Sequence, residues 1–174
     1  DVIIATAQGM LARFHESEVR PMGRDAAGVI GIRLRRVGDA VVSMSVVQPT
    51  SELLTLTETG YGKRVDMAEF RPKHRGGQGV RLIALEGRKT GVVAAVQQVD
   101  DRDEELVLIS AHGQVVRTDV RTVSKQHAAA RGVIVMRLNE GDRVVGIAAF
   151  RPGLAEGLLS DDNGGPEAGP GAAS

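Results

Sequence analysis

Apolar positions along this chain fall in short runs rich in Val, Ile, Leu and Thr, separated by Gly, Asp, Pro or Asn. Runs of that length and composition predict β-strands joined by turns, not helices. The runs also repeat. Asp1-Val2-Ile3-Ile4-Ala5-Thr6 aligns with Glu52-Leu53-Leu54-Thr55-Leu56-Thr57 and with Glu105-Leu106-Val107-Leu108-Ile109-Ser110. A glycine follows three residues after each, and an arginine four further on: Gly9 and Arg13, Gly60 and Arg64, Gly113 and Arg117. A third run opens at Gly28-Val29, Gly79-Val80 and Gly132-Val133, and a fourth at Val41, Val92 and Val144. The landmarks keep offsets of 51 to 53 residues throughout.

Four runs per unit predict a four-stranded antiparallel sheet, repeated three times, with the spacing of propeller blades. The fold class is therefore all-β and propeller-like, with blades at about 1–51, 52–104 and 105–150. Rings of this kind usually close with about 4–8 blades, so three predict an open arc or part of a larger wheel. The chain opens at Asp1, inside a strand-like run and without an initiator Met, as expected of a piece of a longer chain. Residues 151–174 are acidic and Gly/Pro-rich and are expected to form a solvated, disordered tail.

Composition changes this picture in three ways. Aromatic residues are 2% of the chain, so the cores must be aliphatic. The absence of cysteine excludes disulfides and thiolate metal sites and fits a reducing cytoplasm. Net charge is zero, but the tail holds one Arg against four acidic residues, leaving 21 basic and 18 acidic residues in 1–150. That body is mildly basic, at +3. No apolar run is long enough to span a membrane as a helix, and no signal peptide is evident.

The candidate chemistry lies in the connection between the second and third runs. It reads Arg20-Pro21-Met22-Gly23-Arg24-Asp25-Ala26-Ala27-Gly28, then Arg71-Pro72-Lys73-His74-Arg75-Gly76-Gly77-Gln78-Gly79, then Ser124-Lys125-Gln126-His127-Ala128-Ala129-Ala130-Arg131-Gly132. Small residues let a backbone approach a partner, and Arg and Lys supply charge for phosphate oxygens. Charge is kept in each loop while its position drifts, which suits contact with a nucleic-acid backbone better than base readout. Solvated turns would also carry such charges; repetition in three blades favours a rim. Arg13, Lys63, Arg64 and Arg117 either extend that rim or are strand-end charges facing water.

Catalytic motifs are missing. His15, His74, His112 and His127 lack zinc-type spacing, and Gly60-Tyr61-Gly62-Lys63-Arg64 is a tight turn, not a phosphate loop. Tyr61 reads as a half-buried turn residue.

Gly60-Tyr61-Gly62-Lys63-Arg64, Val96-Gln97-Gln98-Val99-Asp100-Asp101 and Arg20-Pro21-Met22-Gly23 followed by Gly28-Val29-Ile30-Gly31-Ile32-Arg33-Leu34 resemble the C-terminal domain of the bacterial DNA gyrase A family, type IIA topoisomerases. The resemblance covers about residues 1–150. It implies a β-pinwheel whose neighbouring blades exchange strands, and a basic rim that wraps duplex DNA in support of ATP-dependent negative supercoiling. It further implies that this stretch is the last three blades of a wheel plus the tail. Lys73-His74-Arg75-Gly76-Gly77-Gln78-Gly79 is similar to the family's Gln-Arg-Arg-Gly-Gly-Lys-Gly box at Arg75, Gly76, Gly77 and Gly79, and reads as a degenerate copy. The expected DNA-contacting residues are Arg13, Arg20, Arg24, Lys63, Arg64, Arg71, Lys73, Arg75, Arg117, Lys125 and Arg131. The implied partners are double-stranded DNA and the rest of the gyrase A and B proteins, near the nucleoid. The chain itself is expected to be non-catalytic and to hold no cofactor, with ATP and magnesium acting in other domains. The alternatives are the DNA-bending domain of topoisomerase IV and a protein-interaction scaffold.

Overall fold

The computed structural model describes residues 1–34, 36–100 and 105–150; the expected tail, 151–174, and the connection 101–104 lie outside them. The first unit contributes β1 (Val2–Thr6), β2 (Met10–Phe14) and β3 (Val41–Val46). The second contributes β4 (Glu52–Thr57), β5 (Tyr61–Asp66), β6 (Val80–Arg81) and β7 (Val93–Val99). The third contributes β8 (Glu105–Ser110), β9 (Val115–Asp119), β10 (Val133–Ile134) and β11 (Val144–Phe150). Among the described residues the only helices are single 3₁₀ turns.

Each unit opens with a hairpin built the same way. The N–H groups of Gly9, Gly60 and Gly113 donate to the carbonyls of Thr6, Thr57 and Ser110 at 3.0, 3.0 and 3.1 Å. The hydroxyls of the same Thr6, Thr57 and Ser110 accept from the N–H of the residue four along, at 3.3, 3.2 and 3.0 Å. A hydroxyl residue and a glycine at fixed spacing thus satisfy the turn's backbone groups locally.

The sheets do not coincide with the repeats. Their strand orders are β3-β1-β2-β6, β10-β5-β4-β7 and β11-β8-β9. The third strand of a unit therefore leaves its own unit and pairs with the second strand of the unit before: Leu11 lies opposite Val80, and Gly62 opposite Val133. The glycine before each exchanged strand is obligatory. Gly79 has φ +75°, and a Cβ on it would sit 2.5 Å from the Leu11 carbonyl oxygen. Gly132 has φ +91°, with the Gly62 oxygen at the same 2.5 Å. The longer apolar runs expected here yield strands of only two residues, because Leu82, Ile83 and Met136 turn inward to fill the cores.

The cores lie between blades. One packs Ile3, Ala5 and Leu11 against Leu53, Val65, Phe70 and Leu82. The other packs Leu54 and Leu56 against Leu106, Leu108, Val120 and Met136. Strand β4 thus has Leu53 on one core and Leu54 and Leu56 on the other, and all three are 0% exposed. At about 1.5–3 kcal/mol per fully buried leucine, this strand alone ties the three blades together.

A candidate nucleic-acid interface at the blade junctions

The connections 71–79 and 124–132 dock on the preceding blade by one shared scheme. A 3₁₀ turn follows the second strand, Met67–Glu69 in one case and Val120–Thr122 in the other, each capped by the carboxylate of the residue before it. In the first junction the Glu18 carboxylate accepts the Arg75 N–H at 2.9 Å and faces His74 Nδ1 at 3.4 Å. In the second, Glu69 accepts the Ala128 N–H at 3.0 Å and faces His127 Nδ1 at 3.2 Å. The N–H of Arg33 reaches the Gly77 carbonyl at 2.8 Å, and that of Ala84 reaches the Ala130 carbonyl at 3.1 Å. The loops thus share these docking contacts, although their turns differ: Gly76 has φ +72°, whereas Ala129, in the same place one repeat on, has no positive φ.

The repeated arginine of the second strand is a latch, which corrects its expected place on the rim. Arg13 Nε donates to Asp1 at 2.8 Å, and its Nη1 donates to the carbonyls of Phe70 and Met67 in the next blade at 2.9 and 3.3 Å. Arg64 donates to Glu52 at 2.7 Å and from Nε to the Val123 carbonyl at 2.8 Å. Both guanidinium groups are nearly enclosed, at 16% and 18% exposure. Arg117 pairs with Glu105 in the same way but is 68% exposed, since β9 has no neighbour on its far side among the described residues.

Lys63 likewise departs from its expected place on the rim. Its side chain is 0% exposed, and Nζ donates to the carbonyls of His127, Ala128 and Ala130 at 2.6, 2.9 and 2.8 Å. Burial pushes its pKa down to about 8, against an opposing pull from Glu69. Buried there, it cannot reach a phosphate.

Three further expected contacts are already engaged. Arg75 donates to the Glu18 and Ile30 carbonyls at 2.9 and 3.2 Å. Arg131 grips both Glu86 oxygens at 3.0 and 2.8 Å and lies 5.4 Å from the centre of the Tyr61 ring, holding Glu86 below the usual carboxylate range. Lys125 bridges Glu52 at 2.8 Å and Asp66 at 3.2 Å, and the hydrogen bond to Glu52 chiefly raises its pKa.

What remains is a smaller set. Arg20, Arg24, Arg71 and Lys73 are exposed, and their side chains meet no ion pair or hydrogen-bond partner among the described residues. Arg71 and Lys73 border a cleft of about 340 Å³ between the first two blades, lined also by Ala12, Phe70, His74 and the degenerate box glycines Gly77 and Gly79. The other box glycine, Gly76, has φ +72°, and Gln78 and His74 are exposed, His74 at 98%. Arg33 and Arg81, exposed beside these loops, are absent from the residues expected on the rim, although each lies on a repeated third run. No cluster of three or more metal-ligating side chains occurs among the described residues.

The family model described as the DNA gyrase C-terminal domain, a β-propeller, matches three times, at residues 1–48, 51–100 and 104–151. The chain belongs to this family. The DNA gyrase A protein of Staphylococcus epidermidis is 40% identical over 150 residues, 85% of this chain and 16% of that protein. Its Aminobacterium colombiense counterpart is 45% identical over 143 residues, 82% of this chain and 17% of that one. The chain thus spans about a sixth of the length of these relatives. A solved gyrase A C-terminal domain superposes with TM-score 0.77 at 32% identity, over 86% of this chain and 50% of that one. A solved topoisomerase IV C-terminal domain shares the fold, with TM-score 0.78 at 23% identity, over 86% and 46%.

Proposed function

We propose that this chain binds and bends duplex DNA without sequence preference, as the wrapping segment of a gyrase A protein. It acts with the remainder of the gyrase A and B proteins in the cytoplasm, where ATP-driven chemistry belongs to other domains. The observation that carries this reading is the division of the basic residues. The latches and staples are consumed internally, whereas Arg20, Arg24, Arg71 and Lys73 present free charge from two successive loops of the repeat. Free cations on a repeating scaffold match a repeating phosphate backbone, which positions a protein without reading bases. Each loop being fixed to its own place on the arc, a stiff duplex must bend to follow it, at a cost of several kcal/mol.

Affinity for a short and a long duplex across a salt series tests the reading. If the four free cations each displace one counterion, log K falls with log salt at a slope of about −3.6, and the long duplex binds tighter. A flat salt response, or equal affinity for both lengths, would overturn it. The topoisomerase IV reading predicts the same slope with little gain from length.

A further inference from the structure

Two intact joints link the three units, and the arc carries both halves of a third. In each joint a third run lies on the second strand of the unit before, and its leading glycine packs on a carbonyl there. An arginine latch then reaches the carbonyl that ends the next unit's 3₁₀ turn. The first unit holds an unused donor half. Gly28 has φ +80°, close to the +75° and +91° of Gly79 and Gly132, yet a Cβ on it would meet nothing within 4 Å. The Gly28-Val29-Ile30 run pairs with no strand among the described residues, and Val19 is 40% exposed where its counterparts Phe70 and Val123 are 1%. The third unit holds an unused acceptor half. Strand β9 has an open edge among the described residues, and Val115 on it is exposed. Ile109 is 41% exposed, where its counterparts Ala5 and Leu56 are 1% and 0%. Arg117 holds Glu105 and reaches no following carbonyl among the described residues.

We propose that these halves join two copies of this chain head to tail, each laying its Gly28-Val29-Ile30 run on β9 of the other. The register of the intact joints carries over. Leu11 faces Val80 and Gly62 faces Val133, so Val115 faces Val29 of the partner subunit. Arg117 then meets the partner's Val19 carbonyl, as Arg13 meets that of Phe70 and Arg64 that of Val123. One arc cannot satisfy its own two ends, since rings of this kind close with about 4–8 blades. Two arcs of three fall within that range, and a head-to-tail contact that closes stops at the ring. An open strand edge bearing exposed apolar side chains favours such pairing. The joint is weaker than the intact ones. Thr122 stands where Glu18 and Glu69 accept a loop N–H, and Val116 stands where Lys63 holds three carbonyls. Association is therefore expected at micromolar concentrations, and the dilute single copy keeps Arg117 exposed.

Sedimentation velocity of the full chain over a micromolar dilution series reads the association. A reversible step from one copy to two, with nothing larger, is expected. Gly28→Ala puts a Cβ where the joint needs a bare glycine but meets open space in the single copy. It should weaken association by about tenfold or more and leave the circular dichroism native. The chain has no cysteine, so Val29→Cys and Val115→Cys can be paired without background. Facing residues on paired strands lie within disulfide reach, and oxidising a mixture of the two single variants should give the mixed dimer in clear excess over either homodimer. A chain that stays single at every concentration overturns the proposal. So does a dimer that survives Gly28→Ala, or one that links Val115→Cys to itself, which places one β9 edge against the other. Growth into larger species overturns it as well, because the arcs then do not close a ring.

Discussion

Arg64 and Arg117 occupy one repeat position in two environments, so truncating each to alanine separates architecture from DNA contact. Arg64 makes an ion pair at 2.7 Å and a bond to the Val123 carbonyl at 2.8 Å, at 18% exposure. Hydrogen bonds to charged groups contribute about 1.5–3 kcal/mol each when desolvated. Glu52 keeps Lys125 at 2.8 Å in the variant, which offsets part of the loss. The net cost of Arg64→Ala is then about 2–4 kcal/mol, or a Tm lower by about 5–10 °C in a chain of this size. Arg117 is 68% exposed with Glu105 as its partner, and exposed pairs are worth about 0.2–1 kcal/mol. Arg117→Ala should therefore shift Tm by no more than about 3 °C. Differential scanning calorimetry reads both, and duplex titration of the folded variants reads the salt slope. Equal damage from the two variants would refute the latch. So would an Arg64→Ala protein of native stability whose salt slope falls by about one, since that places the guanidinium on DNA.

Other outcomes follow from the same geometry. Arg71→Ala and Lys73→Ala should each reduce the salt slope by about one, uniformly across DNA sequences and without change in Tm, as fluorescence anisotropy will show. Gly132→Ala meets both positive φ and a carbonyl at 2.5 Å and should cost about 2–4 kcal/mol. Gly113→Ala, with open space around it, should cost about 1 kcal/mol by urea unfolding. The buried Thr55 hydroxyl has no partner among the described residues, so Thr55→Val should hold or raise stability, by up to about 1 kcal/mol. Lys63, lowered to about 8 from 10.5, releases its proton in the folded state before the unfolded one. Between about pH 8 and 10.5 the unfolded chain binds more protons, so stability should climb with pH in the native protein and not in Lys63→Met.

Much of this fold was legible. The hydroxyl–glycine spacing at Thr6 and Gly9, Thr57 and Gly60, and Ser110 and Gly113 marked the hairpins, and the first and fourth runs became strands within a residue or so of their expected bounds. Which sheet the third run joins was not legible from spacing, because pairing with the preceding unit and pairing within the unit leave the same apolar pattern. The rim was only half legible. Lys63 and Arg64 are adjacent on one strand, and alternation requires them to face opposite sides. That rule could have removed one of them from a common stripe. It could not have said that the other, Arg64, is spent on Glu52 and Val123, since both partners come from elsewhere in the chain. The free residues Arg20, Arg24, Arg71 and Lys73 are distinguished from Arg75 and Arg131 by a few ångströms of loop docking that no local pattern encodes.

The exchanged strands also bear on how the array comes apart. Taking away one repeat strips β6 or β10 from the sheet before it, along with the latch carbonyl of Phe70 or Val123 and half of a shared core. In a chain of stacked repeats the coupling between neighbours decides whether units melt singly or together. Here the coupling is covalently staggered, so the smallest piece that can open is larger than one repeat. Tension applied to a single connection between the second and third strands of a unit is therefore borne by two sheets.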